Sequence, residues 1–460
     1  MNVIYIVCHD LGRHLGCYGR KVKTPNLDRF ASEAIRFDQA FCQTAVCSPS
    51  RGACMTGQYA HNNGLMGLSH FGWRIHPETK TVVDHFNEAG YETVHCGLSH
   101  EGEENHSRYQ TDFEVSWRST QAENAVDNAV AWLRARQKKG DSQPFYLNIG
   151  TAEAHPSIWR KDVDPSGAPS RLHCDYGGPV PPEDINVPAP TPDIPLTRDE
   201  FGRFEAGIRF LDQEMGRLFE VIEELKLNED TMVIFTTDHG MNDWHGKGEL
   251  YDRGMEIALL ARPPQDWNVP ANSIGHLIQN LDLTPTLLDA AGQTIPDSLP
   301  GKSFLPLLKG KPEAYEPHEH IFLEWNFGGP QDDYSPIRAI RTPRYKLIHN
   351  YGPHNYDCYR LDEITEDFTR EQMSYKRFKD YGGPYQHPSD RMRPEWELYD
   401  LDQDPHELKN LLEADSSAEK SANLRADLAE KLDTWMQATS DHVLQGKIPK
   451  IPAKPGFHYM

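Results

Sequence analysis

Cys47-Ser48-Pro49-Ser50-Arg51-Gly52-Ala53-Cys54-Met55-Thr56-Gly57 decides how this chain is read, because it carries the chain from a strand into a helix. Just ahead of it, Ile35 to Phe41 is an apolar-rich run of strand length. Ser48 and Pro49 then read as the N-cap and first residue of a helix. A helix that starts there aims unpaired N–H groups and the positive end of its dipole at any anion carried by residue 47. The same residues also make an ordinary loop-to-helix junction with a cysteine under a turn, and the two readings are compatible.

Working outward, strands and helices alternate. Asn2 to Cys8 reads as a buried strand whose end delivers His9 and Asp10. Thr24-Pro25-Asn26-Leu27 opens a helix, Thr81 to Ala89 makes another, and Tyr91 to Gly97 is a strand leading to His100. Gln121 to Lys138 is helical by its spacing, and Phe145 to Gly150 is a strand that ends near His155. A proline-rich connection, Pro179 to Pro195, precedes a long amphipathic helix over Arg198 to Leu227. Thr231 to Thr236 is a central strand carrying Asp238-His239-Gly240, followed by a strand at Ile257 to Ala261 and a helix at Asp282 to Ala291. The alternation predicts an α/β fold, a doubly wound mixed sheet flanked by helices. Past about residue 335 the texture changes to antiparallel strands (Ile337 to Ile340, Tyr345 to Asn350) and a final helix across Leu424 to Met436. The expected division is a catalytic domain at 1–335 and a small C-terminal α+β domain at 336–460.

The 460 residues are 38% hydrophobic and 25% charged, as in a soluble globular protein, with a net charge of -22 that argues against a nucleic-acid partner. A pocket can still be locally positive and take an anionic substrate. No stretch reaches the length of a membrane-spanning helix, so no membrane partner is expected. The eight cysteines form no close C-x-x-C pair and read as mainly reduced and buried. The chain opens on a strand with no leader ahead of it, which implies a cytoplasmic setting, or a periplasmic or secreted one if a signal peptide was trimmed.

Three strand ends therefore carry chemical groups: His9 with Asp10, the Cys47 loop, and Asp238 with His239. Each acidic pair alone has a structural explanation, such as a capped turn. Together they suit a divalent metal, with residue 47 as one ligand and two or three carboxylate or imidazole neighbours drawn from His9, Asp10, Asp238 and His239.

These residues resemble the type I, formylglycine-dependent sulfatases of the alkaline phosphatase superfamily. The resemblance covers nearly the whole chain: Thr24-Pro25-Asn26-Leu27-Asp28, Cys47-Ser48-Pro49-Ser50-Arg51, Thr236-Thr237-Asp238-His239-Gly240, Gly246-Lys247-Gly248-Glu249-Leu250-Tyr251, Asp282-Leu283-Thr284-Pro285-Thr286 and Leu398-Tyr399-Asp400 with Asp404-Pro405. Within the family, His61-Asn62-Asn63-Gly64-Leu65-Met66-Gly67-Leu68 and Trp396-Glu397-Leu398-Tyr399-Asp400 are most similar to the N-sulfoglucosamine sulfohydrolases. The resemblance implies an alkaline-phosphatase-like fold, a sulfated saccharide as substrate, calcium as the ion, and a maturation enzyme that oxidises Cys47 to formylglycine. It implies that the hydrated aldehyde attacks sulfur, that Arg51 holds it, and that Lys247 bridges to the sulfate. His155 or Lys247 would then protonate the leaving group, and His100 would take the proton that releases sulfate.

Three residues depart from the family pattern. His9 stands where an aspartate is usual and His239 where an asparagine is usual, and imidazole favours manganese or zinc over calcium. Leu98 replaces the lysine of the usual Gly-Lys-x-His. Phosphonate monoester hydrolases share the modified cysteine and lack that lysine, so phosphonate monoester or phosphodiester hydrolysis is the second reading. A third is an inactive sulfatase fold that binds glycans, with Cys47 left as a thiol. Ser69 to Trp73, Glu101 to Arg108 and Trp325-Asn326-Phe327 are expected as substrate-selecting loops over the strand ends.

Overall fold

In this computed structural model, residues 1–114, 122–155, 179–243, 245–327, 334–351, 393–413 and 418–446 are described. Eight strands build one sheet: β1 (Asn2–Cys8), β2 (Ile35–Phe41), β3 (Glu92–Gly97), β4 (Thr111–Glu114), β5 (Phe145–Gly150), β6 (Thr231–Thr237), β7 (Leu259–Arg262) and β8 (Asn272–Gln279). Their order is β4-β3-β5-β1-β6-β7-β2-β8. All pairs are parallel except those of β7, which runs antiparallel to both β6 and β2. The three central strands β5, β1 and β6 are buried along their whole length, which a sheet covered on both faces requires.

Alternation along β1 shows the two faces. Ile4, Ile6 and Cys8 pack with α1 (Pro25–Glu33) and two longer helices on one side. Val3, Tyr5 and Val7 pack on the other side with α2 (Cys47–Thr56). Four further elements follow in order: α3 (Ala60–Asn63), α4 (Val82–Glu88), α5 (Glu103–His106) and α6 (Ala122–Lys139). The chain then adds α7 (Pro195–Glu224), α8 (Asp252–Met255) and α9 (Leu283–Ala290). Helices α6 and α7 join α1 on the first face, and α4 and α9 join α2 on the second. The sheet is doubly wound and mixed, as the alternation predicts.

Helix α2 begins earlier than its polar residues suggest, with Val46 as N-cap and Cys47 as first residue in place of Ser48 and Pro49. All ten residues of α2 are buried, so its start is fixed by tertiary contacts rather than by a side-chain cap. The long helix α7 likewise starts at Pro195, three residues ahead of the expected Arg198, because proline is tolerated at the first position.

A second, antiparallel sheet has the order β12-β11-β10-β9, from β9 (Ile321–Phe327), β10 (Tyr334–Arg341), β11 (Tyr345–Asn350) and β12 (Trp396–Asp400). The helix Ala418–Ala438 covers it through Leu428, Leu432, Trp435 and Met436. Six cysteines lie among the described residues, none in a disulfide and all but Cys17 buried; Cys174 and Cys358 lie outside the described residues. Among the described residues no helix is long and apolar enough to cross a membrane.

Candidate active site

The carboxyl ends of β1, β3, β5 and β6 open on one edge of the sheet, where ligands of open α/β sheets bind. Strand β1 delivers His9 and Asp10, and Asp10 adopts φ +51, in the left-handed region that aspartate tolerates better than most residues. Strand β6 delivers Asp238 and His239. Asp238 Oδ1 accepts from the backbone N–H of Asp10 at 3.0 Å and of His239 at 2.9 Å, which locks the two strand ends together. Its Oδ2 lies 2.9 Å from His9 Nδ1 and accepts from Arg51 Nε at 3.1 Å.

Cys47, at the start of α2, completes the cluster. Its Sγ lies 3.3 Å from His239 Nε2 and 3.8 Å from Asp10 Oδ1, and His239 Nε2 is 3.1 Å from Asp10 Oδ1. The other ring nitrogen of His239, Nδ1, donates to the Gly240 carbonyl at 2.8 Å, which leaves Nε2 to face the cluster. Lys247 Nζ donates to Asp10 at 2.8 and 3.1 Å and stands 3.3 Å from His155 Nε2. The His9 ring lies 5.6 Å from the rings of both His100 and His155, centroid to centroid. All nine residues singled out in the sequence thus meet at one place.

The donor set fits a divalent ion. One donor atom each from His9, Asp10, Cys47, Asp238 and His239 lies within 4.8 Å of all the others, and all five residues are buried. Electrostatics point the same way. Burial works against the Asp10 carboxylate, yet Lys247, His155 and His239 hold it well below the usual range. Burial likewise opposes ionised Asp238, and His239, His9 and Arg51 outweigh it. Two ionised, buried carboxylates require concentrated positive charge close by. At Cys47 burial opposes the thiolate, but Lys247, His239 and His9 together hold the thiol well below its ordinary value.

Arg51 can offer donors to an anion. The residue is 2% exposed, and beyond the Nε contact its two terminal nitrogens have no hydrogen-bond partner among the described residues. Leaving such donors dry costs about 1–3 kcal/mol each. They lie one helical turn beyond Cys47, ready for a tetrahedral oxyanion.

Asn280 was not singled out from the sequence, and Glu101 and His70, which lie in loops expected to select substrate, instead brace the residues of the site. Asn280 brackets the nucleophile loop, accepting from Gln43 N–H at 3.0 Å and donating to the Ser50 carbonyl at 3.1 Å. It stands two residues before the Asp282-Leu283-Thr284 motif, the only sequence signal it has. Glu101 accepts from Ser99 Oγ at 2.6 Å and from His100 N–H at 3.0 Å, fixing the turn that presents His100. His70 stacks on His100 with rings 5.7 Å apart at 7°. One expected loop is absent from the mouth of the site. Trp325-Asn326-Phe327 lies within β9, with Trp325 1% and Phe327 3% exposed. Trp73 is also core, 1% exposed and packed on Phe327.

A family described as Sulfatase matches residues 1–293, and one described as N-sulphoglucosamine sulphohydrolase, C-terminal, matches residues 239–380. An ulvan-active sulfatase of Formosa agariphila is 28% identical over 456 residues, covering 97% of this chain and 82% of the relative. The human N-sulphoglucosamine sulphohydrolase is 26% identical over 495 residues, covering 97% and 93%. A solved structure in complex with its substrate D-glucosamine-2-N,6-O-disulfate superposes with a TM-score of 0.67 at 20% identity, covering 96% of this chain and 98% of that one. With a family match across well over half its length and relatives aligned along nearly all of it, this chain belongs to the sulfatase family.

Proposed function

We propose that this protein removes sulfate from a sulfated saccharide, with N- or O-sulfated glucosamine as the leading substrate class, after oxidation of Cys47 to formylglycine by a maturation enzyme. The position of Cys47 carries the reading: the first residue of a buried helix, in a Cys-x-Pro-x-Arg context, with its Sγ 3.3 Å from His239 Nε2 inside the carboxylate and imidazole cluster. The substrate class rests on the relatives, among them the human N-sulphoglucosamine sulphohydrolase and the neighbour bound to a glucosamine disulfate.

His9, Asp10, residue 47, Asp238 and His239 would hold one divalent ion. When bound, the ion supplies Lewis acidity, and the oxidised side chain supplies the nucleophilic hydroxyl. Calcium is the family's ion, whereas two imidazoles among five donors favour manganese or zinc. Arg51 offers its two terminal nitrogens to the sulfuryl oxygens. Lys247 reaches the same space from Asp10, and either it or His155 delivers a proton to the departing oxygen or nitrogen. His100 accepts the proton that frees the sulfate, with Glu101 fixing its turn.

Leu98 favours a second reading, hydrolysis of a phosphonate monoester or phosphodiester, because the site has no ammonium at that position. Sulfated saccharides assayed beside an aryl phosphodiester separate the two, and faster turnover of the phosphodiester reverses the ranking. Mass spectrometry of the Cys47 peptide after co-expression with a maturase supplies the third arm. An unmodified thiol there sinks the sulfatase reading and leaves the inactive, glycan-binding fold as the one to test.

A further inference from the structure

A second group of metal-type donors lies apart from the nucleophile. Strands β3 and β4 pair His95 with Asp112, and His106 closes the group from the end of α5. His95 Nδ1 lies 2.8 Å from Asp112 Oδ1, and His106 Nδ1 lies 2.7 Å from Asp112 Oδ2. The two imidazoles meet edge to face with centroids 5.5 Å apart. One donor atom from each of the three residues lies within 4.8 Å of the other two. His95 is fully buried, while the side chains of His106 and Asp112 keep 15% and 20% exposure, which gives an ion from solution a way in.

We propose that His95, His106 and Asp112 form a second divalent metal site that clamps the 95–112 segment to the edge of the sheet. Two imidazoles and one carboxylate select zinc or a neighbouring first-row ion and disfavour calcium, with water filling the remaining positions. Ligands at about 2.1 Å around a tetrahedral ion stand about 3.4 Å apart, so the present contacts of 2.8 and 2.7 Å need open by only about 0.6–0.7 Å.

The far edge of His95 supplies an independent argument. Its Nε2 is buried without a hydrogen-bond partner among the described residues. Asn148, opposite His95 in the strand register, is 4% exposed, and its Oδ1 is also without one. The Asn148 Nδ2 is already committed to Tyr109 Oη at 2.7 Å. With its proton on Nδ1 toward Asp112, a neutral His95 presents a lone pair at Nε2, on the strand that pairs with the one carrying the Asn148 acceptor. Ligation of an ion at Nδ1 moves that proton to Nε2. The edge then holds one donor and one acceptor, which a single water can join. Binding by this route shifts a tautomer and requires no redox partner. The clamp spans the turn that carries His100 and Glu101, but the site stands on its own geometry whatever the reaction.

The test is a count of zinc equivalents. The full-length protein, stripped with a chelator, is titrated with Zn2+ against a chromophoric competitor, alongside Asp112→Asn, His106→Gln, Asn148→Ala and the pair Asp10→Asn with Asp238→Asn. Asp112→Asn and His106→Gln should each lose one equivalent. The Asp10/Asp238 pair should keep that equivalent, which separates this site from the cluster around Cys47. Asn148→Ala should weaken it by about tenfold or more. If Asp112→Asn does not fold, His106→Gln, at a partly exposed side chain, decides the matter. An unchanged number of equivalents at unchanged affinity in His106→Gln overturns the proposal.

Discussion

Arg51→Met is the substitution whose outcome follows most directly from the geometry. Methionine keeps much of the side-chain volume in a position only 2% exposed, and removes the charge, the Nε contact to Asp238 and two terminal nitrogens that have no partner among the described residues. Each hydrogen bond to a charged group contributes about 1.5–3 kcal/mol, so two bonds to a sulfuryl group amount to about 3–6 kcal/mol. At about 1.4 kcal/mol per decade, kcat/KM for an aryl sulfate should fall by about two to four orders of magnitude. Residue 51 also belongs to the maturation signature, so rates are expressed per formylglycine-bearing chain, counted by peptide mass spectrometry. Affinity for free sulfate should fall as well, and that measurement needs no maturation. Fold stability should fall as well, because the buried Asp238 carboxylate loses one of its cationic partners, so both measurements are made where the variant is shown to be folded. A loss below tenfold in both kcat/KM and sulfate affinity, in a folded protein, would refute the claim that Arg51 is an anion site.

Three further outcomes are expected. Gly97→Ala should destabilise the fold by about 3 kcal/mol or more, read by chemical denaturation, because Gly97 sits at φ +98 and a Cβ there would come 2.2 Å from the Gly150 carbonyl oxygen. Burial opposes ionised Glu324, but His61 and Arg338 bring it down to about 2. Its contribution of about 3 kcal/mol is therefore complete above the unfolded value near 4.3 and fades as pH falls toward 2, and Glu324→Gln should be less stable at pH 7 with a flatter acid limb. Finally, His9→Asp and Leu98→Lys should each lower kcat/KM alone, with the double variant recovering at least about 1 kcal/mol of the summed loss; strict additivity would argue against coupling between the two positions.

Much of the architecture is legible because β1, β5 and β6 are buried on both faces and so appear as unbroken apolar runs. His9, Asp10, Asp238 and His239 are legible as candidates because they directly follow the β1 and β6 runs. What escapes notice depends on distant partners. β9 contains Glu324 and Asn326, both buried, which reads as a loop until His61 and Arg338 are found to satisfy them at 2.8 Å each. β8 is half exposed, with three of its eight residues buried, and β4 has only four residues at the sheet edge, so neither stands out by pattern. Val46 as a helix cap is illegible for the same reason: α2 is anchored by Asn280, 230 residues away from the Ser50 carbonyl it holds.

The departures from the family pattern are better understood as one change than as three. The neighbouring carboxylates hold the His9 and His239 rings charged, but as ligands of an ion both would be neutral; aspartate to histidine at position 9 would then remove one negative charge, lysine to leucine at position 98 removes one positive charge, and the pair would leave the net charge of the site where it was. Asparagine to histidine at 239 adds none when the ring is neutral. The exchange moves positive charge away from the β3 end of the cleft and leaves it on Lys247 and Arg51, on the side of Asp10 and Asp238. If the five residues hold an ion as proposed, the exchange also trades a hard oxygen donor for imidazole nitrogen at two of five positions, which would shift ion preference without altering the pull of the two carboxylates. A buried cluster tolerates such an exchange only in concert, because an unpaired charge at either position would cost several kcal/mol. On the proposed function, the identity of the ion and the loss of the lysine are therefore expected to travel together, with the substrate anion held from the Arg51 and Lys247 side.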